Sequence, residues 1–288
     1  MTVFETTGHV ALRLTLSGGE VTVETTAERR VEIELVPLRD NEITRQAIAE
    51  ARVEMTERGG RHEVVVRLDR KSGFVICRGP KVGVRVRCPH GSDLDLRAAS
   101  ADIDATGTLG AVDVKTASGD VSLEDVASLE VDTASGDLRV RDVDRALEFR
   151  TASGDASVHR CGGLLSANLV SGDLSVGEAA AGLAVTTVSG DVRVHAVGGG
   201  GIRVQSVSGD VHVAIKPGER LYIDASSVSG TMRSELDLED APPADSILPV
   251  VELRVRTVSG DLQIVRAAAS TPGFSLASDG VLGDVVDV

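Results

Sequence analysis

One phrase, Ser-Gly-Asp, recurs through the second half of the chain at nearly constant spacing, and that spacing restricts the fold more than any other feature. It reads Ser118-Gly119-Asp120, Ser135-Gly136-Asp137, Ser153-Gly154-Asp155, Ser171-Gly172-Asp173, Ser189-Gly190-Asp191, Ser208-Gly209-Asp210 and Ser259-Gly260-Asp261, with Ser229-Gly230-Thr231 as a variant. Successive glycines from Gly119 to Gly209 lie 17, 18, 18, 18 and 19 residues apart. A sustained period marks one small unit copied in tandem, and no such unit can bury its apolar face without its neighbours.

The residues around each glycine show what the unit is. Three, five and seven positions before it stand Thr133, Val131 and Leu129, then Thr151, Phe149 and Leu147, then Thr187, Val185 and Leu183. Two and four positions after it stand Val121 and Leu123, Leu138 and Val140, Val192 and Val194. Alternation on both sides predicts two strands joined at Ser-Gly-Asp. Two strands of about seven residues with two corners account for one coil, whose strands hydrogen-bond to the coils on either side at about 4.8 Å. The expected class is all-β, a β-solenoid of ~18-residue two-strand coils. Strand direction is not encoded in the period, so an antiparallel β-meander is the structural alternative.

Three regions follow. Residues 1–93 read as a β region with one helix, residues 94–266 as the solenoid, and residues 267–288 as a mobile tail or end cap. In the first, His9 to Leu16 and Val21 to Val23 alternate across Ser17-Gly18-Gly19-Glu20, which suggests a hairpin, and Val31, Ile33 and Leu35 mark a third strand. Ile43, Ala47, Ala51 and Met55 at steps of four predict an amphipathic helix over about 40–58, capped by Asp40 and ended by Gly59-Gly60. His62 to Leu68, Phe74 to Cys77 and Val82 to Cys88 return to strand. Leu94, Leu96 and Ala98 then lead into Ser100-Ala101-Asp102, a degenerate first coil. Alanine there would carry ~1 kcal/mol of strain if the backbone is left-handed. A Pro-containing acidic insertion at about 236–249 precedes the last coil, which ends near Arg266.

Composition narrows the function. The net charge is −14, with no concentrated basic segment, which argues against a nucleic-acid partner. No run approaches the ~18 apolar residues of a membrane helix, and Met1 to His9 lacks a basic segment followed by an apolar one, so a cytoplasmic location is expected, with peripheral envelope association open. Cys77, Cys88 and Cys161 have no metal-type spacing and are expected to be reduced; Cys161 replaces the valine found at Val126, Val143 and Val197.

Candidate chemistry concentrates in the repeat. The structural reading gives Gly to corner geometry and Ser and Asp to turn amides. The sharper one is calcium: Asp120, Asp137, Asp155, Asp173, Asp191 and Asp210 would stack ~5 Å apart, where carboxylates repel by roughly 1 kcal/mol even in water. Thr116/Ser118, Thr133/Ser135, Thr151/Ser153 and Thr187/Ser189 could instead form hydroxyl rows. His159, His195 and His212 occupy outward positions and read as solvated. A serine repeated in every coil is a poor unique nucleophile, so no catalytic residue and no cofactor is expected.

Val-Arg-Val-Arg-Cys-Pro-His-Gly-Ser-Asp-Leu at 84–94, then Ser-Ala-Asp, then the Thr-Ala-Ser-Gly-Asp-Val repeats resemble the bacterial β-strand-repeat family labelled "putative adhesin", a domain of unknown function. The resemblance covers roughly residues 4–266. It implies surface adhesion, some similar proteins belong to cell-envelope stress modules, and it brings no catalytic residues. The leading expectation is a non-enzymatic solenoid scaffold or binding module that presents an acidic, ridged side to a protein or envelope component. The outward positions that vary between coils, such as Arg139/Arg141, Arg193/His195 and Glu124, would carry the contact. A calcium-stabilised surface adhesin is the alternative and an enzyme on this scaffold the third reading. Pairing of the solenoid ends into homo-oligomers is left open, and the tail from Ala267 is the candidate cover for the last strand edge.

Overall fold

Alternating β-branched residues separated by glycine corners wind the chain into stacked coils. The computed structural model describes residues 1–58, 60–68, 80–217, 220–235 and 250–267. The N-terminal elements are β1 (Thr2–Glu5), β2 (His9–Leu16), β3 (Gly19–Thr26), β4 (Arg30–Pro37), α1 (Glu42–Ala49), β5 (Arg52–Arg58), β6 (Arg61–Arg67) and β7 (Val82–Pro89). Two long strands that turn corners follow, β8 (Asp93–Ser118) and β9 (Val121–Ser135). The regular array comprises β10 (Leu138–Val143), β11 (Leu147–Ser153), β12 (Ala156–Cys161), β13 (Leu165–Ser171), β14 (Leu174–Ala179), β15 (Leu183–Ser189), β16 (Val192–Val197), β17 (Gly201–Ser208) and β18 (Val211–Ile215). The chain then forms β19 (Arg220–Ser229), β20 (Met232–Ser234), β21 (Val250–Ser259) and β22 (Leu262–Arg266).

Pairing within the array is parallel, which excludes the meander. Leu138 stands between Val121 and Ala156 on the face formed by strands after the corner, and Leu147 stands between Leu129 and Leu165 on the face formed by strands before it. Every inward position is filled by its counterpart one coil away. Val143, Cys161 and Ala179 make one such column, all fully buried, so Cys161 is a core residue as expected. Burial pushes its thiol above the ordinary range, and pushes that of Cys88 up to about 11. Cys77 lies outside the described residues.

The first ninety residues depart from expectation in two places. β2 and β3 do not form a hairpin. β2 lies between β6 and β8, and β3 between β7 and β8, all parallel, so Ser17-Gly18-Gly19-Glu20 is a coil corner of the same kind as Ser-Gly-Asp. The four-residue period after Asp40 also yields only a short helix, Glu42–Ala49. Asn41, not Asp40, caps it by accepting the Thr44 N–H at 2.7 Å. Glu50 closes its C-terminal end, and Met55 lies in β5, whose antiparallel pairing with β6 overrides the helical spacing. Residues Phe74 to Cys77, the insertion after Glu235 and the tail after Ala267 lie outside the described residues.

Coil order in space differs from coil order in sequence at both ends. The coil β2/β3 sits between the later coil β6/β7 and β8, and antiparallel strands β5 and β4 pair with the outer edges of β6 and β7. At the other end β21/β22 is inserted between β17/β18 and β19/β20. The outermost described coil is therefore the one carrying Gly230, not the last in sequence. Its Val228 is 82% exposed, against 50% for Val258 in the same position one coil inward.

Candidate binding surface

The corners are built by three interactions that repeat with the coil. Gly119, Gly136, Gly154, Gly172, Gly190 and Gly209 all have φ between +121° and +140°, a region that side chains avoid. A Cβ on any of them would also fall well inside van der Waals contact of the backbone carbonyl one coil away, for example that of Gly136 beneath Gly154. Backbone conformation and close approach of the coils therefore both require glycine at the corner. Ala101 is the informative exception: among the described residues no non-glycine has positive φ, so Ala101 carries no left-handed strain. It lies within continuous strand β8, 2% exposed.

The aspartates form a ladder. One oxygen of each accepts the backbone N–H of the aspartate in the next coil: Asp120 to Asp102 at 3.2 Å, Asp137 to Asp120 at 2.9 Å, Asp155 to Asp137 at 3.0 Å and Asp173 to Asp155 at 2.8 Å. It continues from Asp191 to Asp173 at 2.8 Å, Asp210 to Asp191 at 2.9 Å and Asp261 to Asp210 at 2.8 Å, and ends with Thr231 to Asp261 at 2.8 Å. The six aspartates weighed as calcium ligands are brought into one row, each with an oxygen already committed to an amide. Second oxygens of Asp137 and Asp191 meet Arg139 at 3.2 Å and Arg193 at 2.6 Å. Among the described residues no group of three or more His, Cys, Asp or Glu is arranged to hold a metal ion. The ladder explains the variant phrase as well: Gly230-Thr231 belongs to the outermost described coil, where no further described amide needs a carboxylate.

The threonine rows are turned inward. Thr116, Thr133 and Thr151 each donate their hydroxyl to the carbonyl two residues on, at 2.8, 3.0 and 3.1 Å to Ser118, Ser135 and Ser153. Thr187 and Thr257 repeat the contact and are buried. They close the corner from inside and do not form a hydroxyl surface.

Removing one rung tests the ladder. Asp173→Ala leaves the Asp191 amide without its acceptor and is expected to cost about 1 kcal/mol, whereas Asp173→Asn keeps a carbonyl acceptor and should be near neutral at pH 7. Thermal unfolding of the two variants checks this, and equal losses would contradict it. The last rung adds a pH dependence. The Thr231 amide holds the Asp261 carboxyl below its ordinary value, so the charged form is favoured in the fold. Its contribution is complete above about pH 4 and is lost as pH falls through the folded value. Hydrogen exchange in β20 and β22 should rise first on acidification, and Asp261→Asn should remove that dependence.

Outward positions carry the variation. Six residues before the corner the face reads, in spatial order, Arg13, Asp95, Asp113, Glu130, Glu148, Ser166, Ala184, Arg203, Arg254 and Asp224. Its first half is an ion-pair lattice: Arg13 with Glu63 at 2.8 Å and Asp95 at 3.1 Å, Lys115 with Asp132 at 3.2 Å, and Arg150 with Asp132 at 3.0 Å and with Glu148. Burial alone would raise the Asp132 carboxyl, but hydrogen bonds from Arg150 and Lys115 outweigh it and hold it low. Asp113, less well served, is raised by burial. Beside this lattice a shallow groove of about 710 Å³ runs past Thr133, Ala152, Asn168, Val170, Thr186 and Val188. Val170, Val188, Val207 and Val258 continue as an exposed apolar ladder two residues before each corner. His195 is exposed and His212 half-buried, as their outward parity predicts. Further along, Arg203, Arg254 and Arg256 share one face with Gln205, a grouping that sequence order does not suggest.

These corners, core columns and ridged outer faces define a parallel repeat β-solenoid. The chain belongs to the Toastrack DUF4097 family, whose sequence model matches residues 9–265. Among solved structures the chain is similar to a putative adhesin from Bacteroides fragilis, at 11% identity over 91% of this chain and 95% of that one, with a TM-score of 0.46. A putative adhesin from Parabacteroides distasonis shows 10% identity over 91% and 95%, with a TM-score of 0.38. A putative cell adhesion protein from Clostridium sporogenes shows 11% identity over 92% and 97%, with a TM-score of 0.28. No curated protein matches the chain at a significant level.

Proposed function

We propose that the chain is a non-enzymatic binding module: a rigid solenoid that holds variable outward ladders in fixed register against a component of the cell envelope. The observation that carries this reading is the division of labour within each coil. The recurring Ser-Gly-Asp is consumed by the amide ladder and by close carbonyl approach between coils, while charge changes from coil to coil at outward positions. A surface of that kind supplies shape and charge complementarity over many coils and not one activated group. Among the described residues no helix is long and apolar enough to cross a membrane, in keeping with attachment by contact.

The proposal includes a cytoplasmic location with peripheral attachment, which cell fractionation would test. For the binding itself, the purified protein should co-sediment saturably with washed bacterial envelope fragments. Replacing Arg139 and Arg193 by Gln on the outer face should weaken retention roughly tenfold while lowering Tm only slightly, since the ion pairs given up, with Asp137 and Asp191, are half-exposed. No retention at any protein concentration, together with measured turnover of a small-molecule substrate, would overturn the reading.

A further inference from the structure

The arginines at the C-terminal end of the outer face differ from the other cations of that face. Elsewhere on it, the cations are paired with carboxylates: Arg13 with Asp95, Arg97 with Asp95 and Asp113, Lys115 with Asp132, Arg150 with Glu130. Arg203 instead stands directly opposite Arg254 across β17 and β21, and Arg256 lies two residues along the same face, opposite Gln205. Arg254 bonds Glu252 at 2.6 Å, while Arg203 and Arg256 make no hydrogen bond or ion pair among the described residues. A cross-strand pair of like charges is unfavourable in itself, and here it occurs in a chain of net charge −14 with carboxylates abundant on the same face.

The three side chains and Gln205 wall a cavity of about 200 Å³. That space suits a single small anion, and planar guanidinium forks match oxyanions in bidentate fashion. Glu252 takes one nitrogen of Arg254 and leaves the rest of that guanidinium uncommitted. Two unpaired guanidiniums, the remaining donors of Arg254 and the Gln205 amide around one cavity match a dianion with three or more oxygens. We propose that Arg203, Arg254 and Arg256, with Gln205, form a binding site for a phosphate group. The assignment goes beyond the binding-module reading and does not depend on it: a phosphate site on a protein that ignores envelope fragments is a coherent outcome.

The test uses the full chain and inorganic phosphate, with sodium chloride at matched ionic strength as the control for screening. Phosphate should bind saturably in calorimetry and raise Tm with the logarithm of its concentration, as a ligand of the folded state must. Arg203→Gln together with Arg256→Gln should weaken binding roughly ten- to a hundredfold. Without phosphate the same variant should keep its Tm or gain slightly, because a like-charge contact is removed; a purely structural role would lower it. Arg203→Lys keeps the charge but loses the fork and should bind more weakly than the wild type. Vesicles of phosphatidic acid, whose headgroup is a phosphate monoester, against phosphatidylcholine, whose headgroup is a diester, separate the sources: arginine-dependent retention on the first alone identifies a lipid headgroup, and its absence identifies a soluble phosphate ester. Equal effects of phosphate and chloride, or an unchanged response in the double variant, would overturn the assignment. It would also fall if phosphate had no effect while Glu239→Gln with Asp240→Asn lowered Tm, since the arginines would then serve the chain's own acidic segment.

Discussion

Replacing Gly154 by alanine is expected to destabilise the solenoid by about 3–5 kcal/mol, among the largest effects of any single substitution in the array. Two separate penalties coincide. The backbone at Gly154 has φ of +140°, which alanine avoids, and the new methyl would be driven into the Gly136 carbonyl of the coil beneath. That carbonyl cannot retreat, because the two coils are tied by ladder hydrogen bonds, including Gly136 N–H to the Ser153 carbonyl at 3.2 Å. Gly91 provides the control. Its φ is +76°, but a Cβ there meets nothing within 4 Å, so Gly91→Ala should cost only the left-handed penalty of about 1–2 kcal/mol. Urea unfolding and amide exchange across coils 138–191 would measure the difference. Equal losses at the two positions would show that close approach of the coils contributes nothing. Because each coil is stabilised by its neighbours, the loss at Gly154 should appear as lost exchange protection spreading both ways along the stack.

The second large effect is expected at Phe149, 1% exposed and the one aromatic residue in a column otherwise made of aliphatic side chains. Its neighbours in register are Val131 on one side and Ala167 on the other. The large ring is accommodated because the next coil offers only a methyl, so volume is conserved over two coils where it is not within one. Phe149→Ala should cost about 3–5 kcal/mol by opening a cavity. Ala167→Leu alone should cost about 1–3 kcal/mol by overpacking. Combined, the two should recover part of the loss, since the leucine can enter the space the ring left. Strictly additive losses in a double-mutant cycle would show that the two coils do not share that volume.

Much of this was legible from spacing alone. Alternation at fixed distances from each glycine identified inward residues such as Leu147, Phe149 and Val140 because a strand has only two sides, the same parity identified His195 as surface, and equivalence with Val126, Val143 and Val197 identified Cys161 as core. Where two readings had the same period, local sequence was a poor guide. Ile43, Ala47, Ala51 and Met55 repeat every four residues, yet the second pair falls beyond the Glu50 cap, and β5 is held as a strand by β6. The segment around Gly19 looked like a hairpin because a hairpin and a coil corner share one glycine-turn signature. Only the partner strands, β6 and β7 on one side and β8 on the other, distinguish them.

The sequence by itself determined the coil: its length, its two strands, which residues face inward, and why its corner must be glycine. Tertiary structure decided the order in which the coils stack. Taken in sequence order, Arg203, Asp224 and Arg254 would lie on successive coils and neutralise one another. With β21 inserted between β17 and β19, Arg203 meets Arg254 and Asp224 is moved to the outside. The physical reason is that coils sharing one inward pattern are nearly interchangeable as neighbours. Val204, Val255 and Ala225 can stack in either order, so the core pattern does not encode sequence order, and the charges brought together on the outer face follow from the choice.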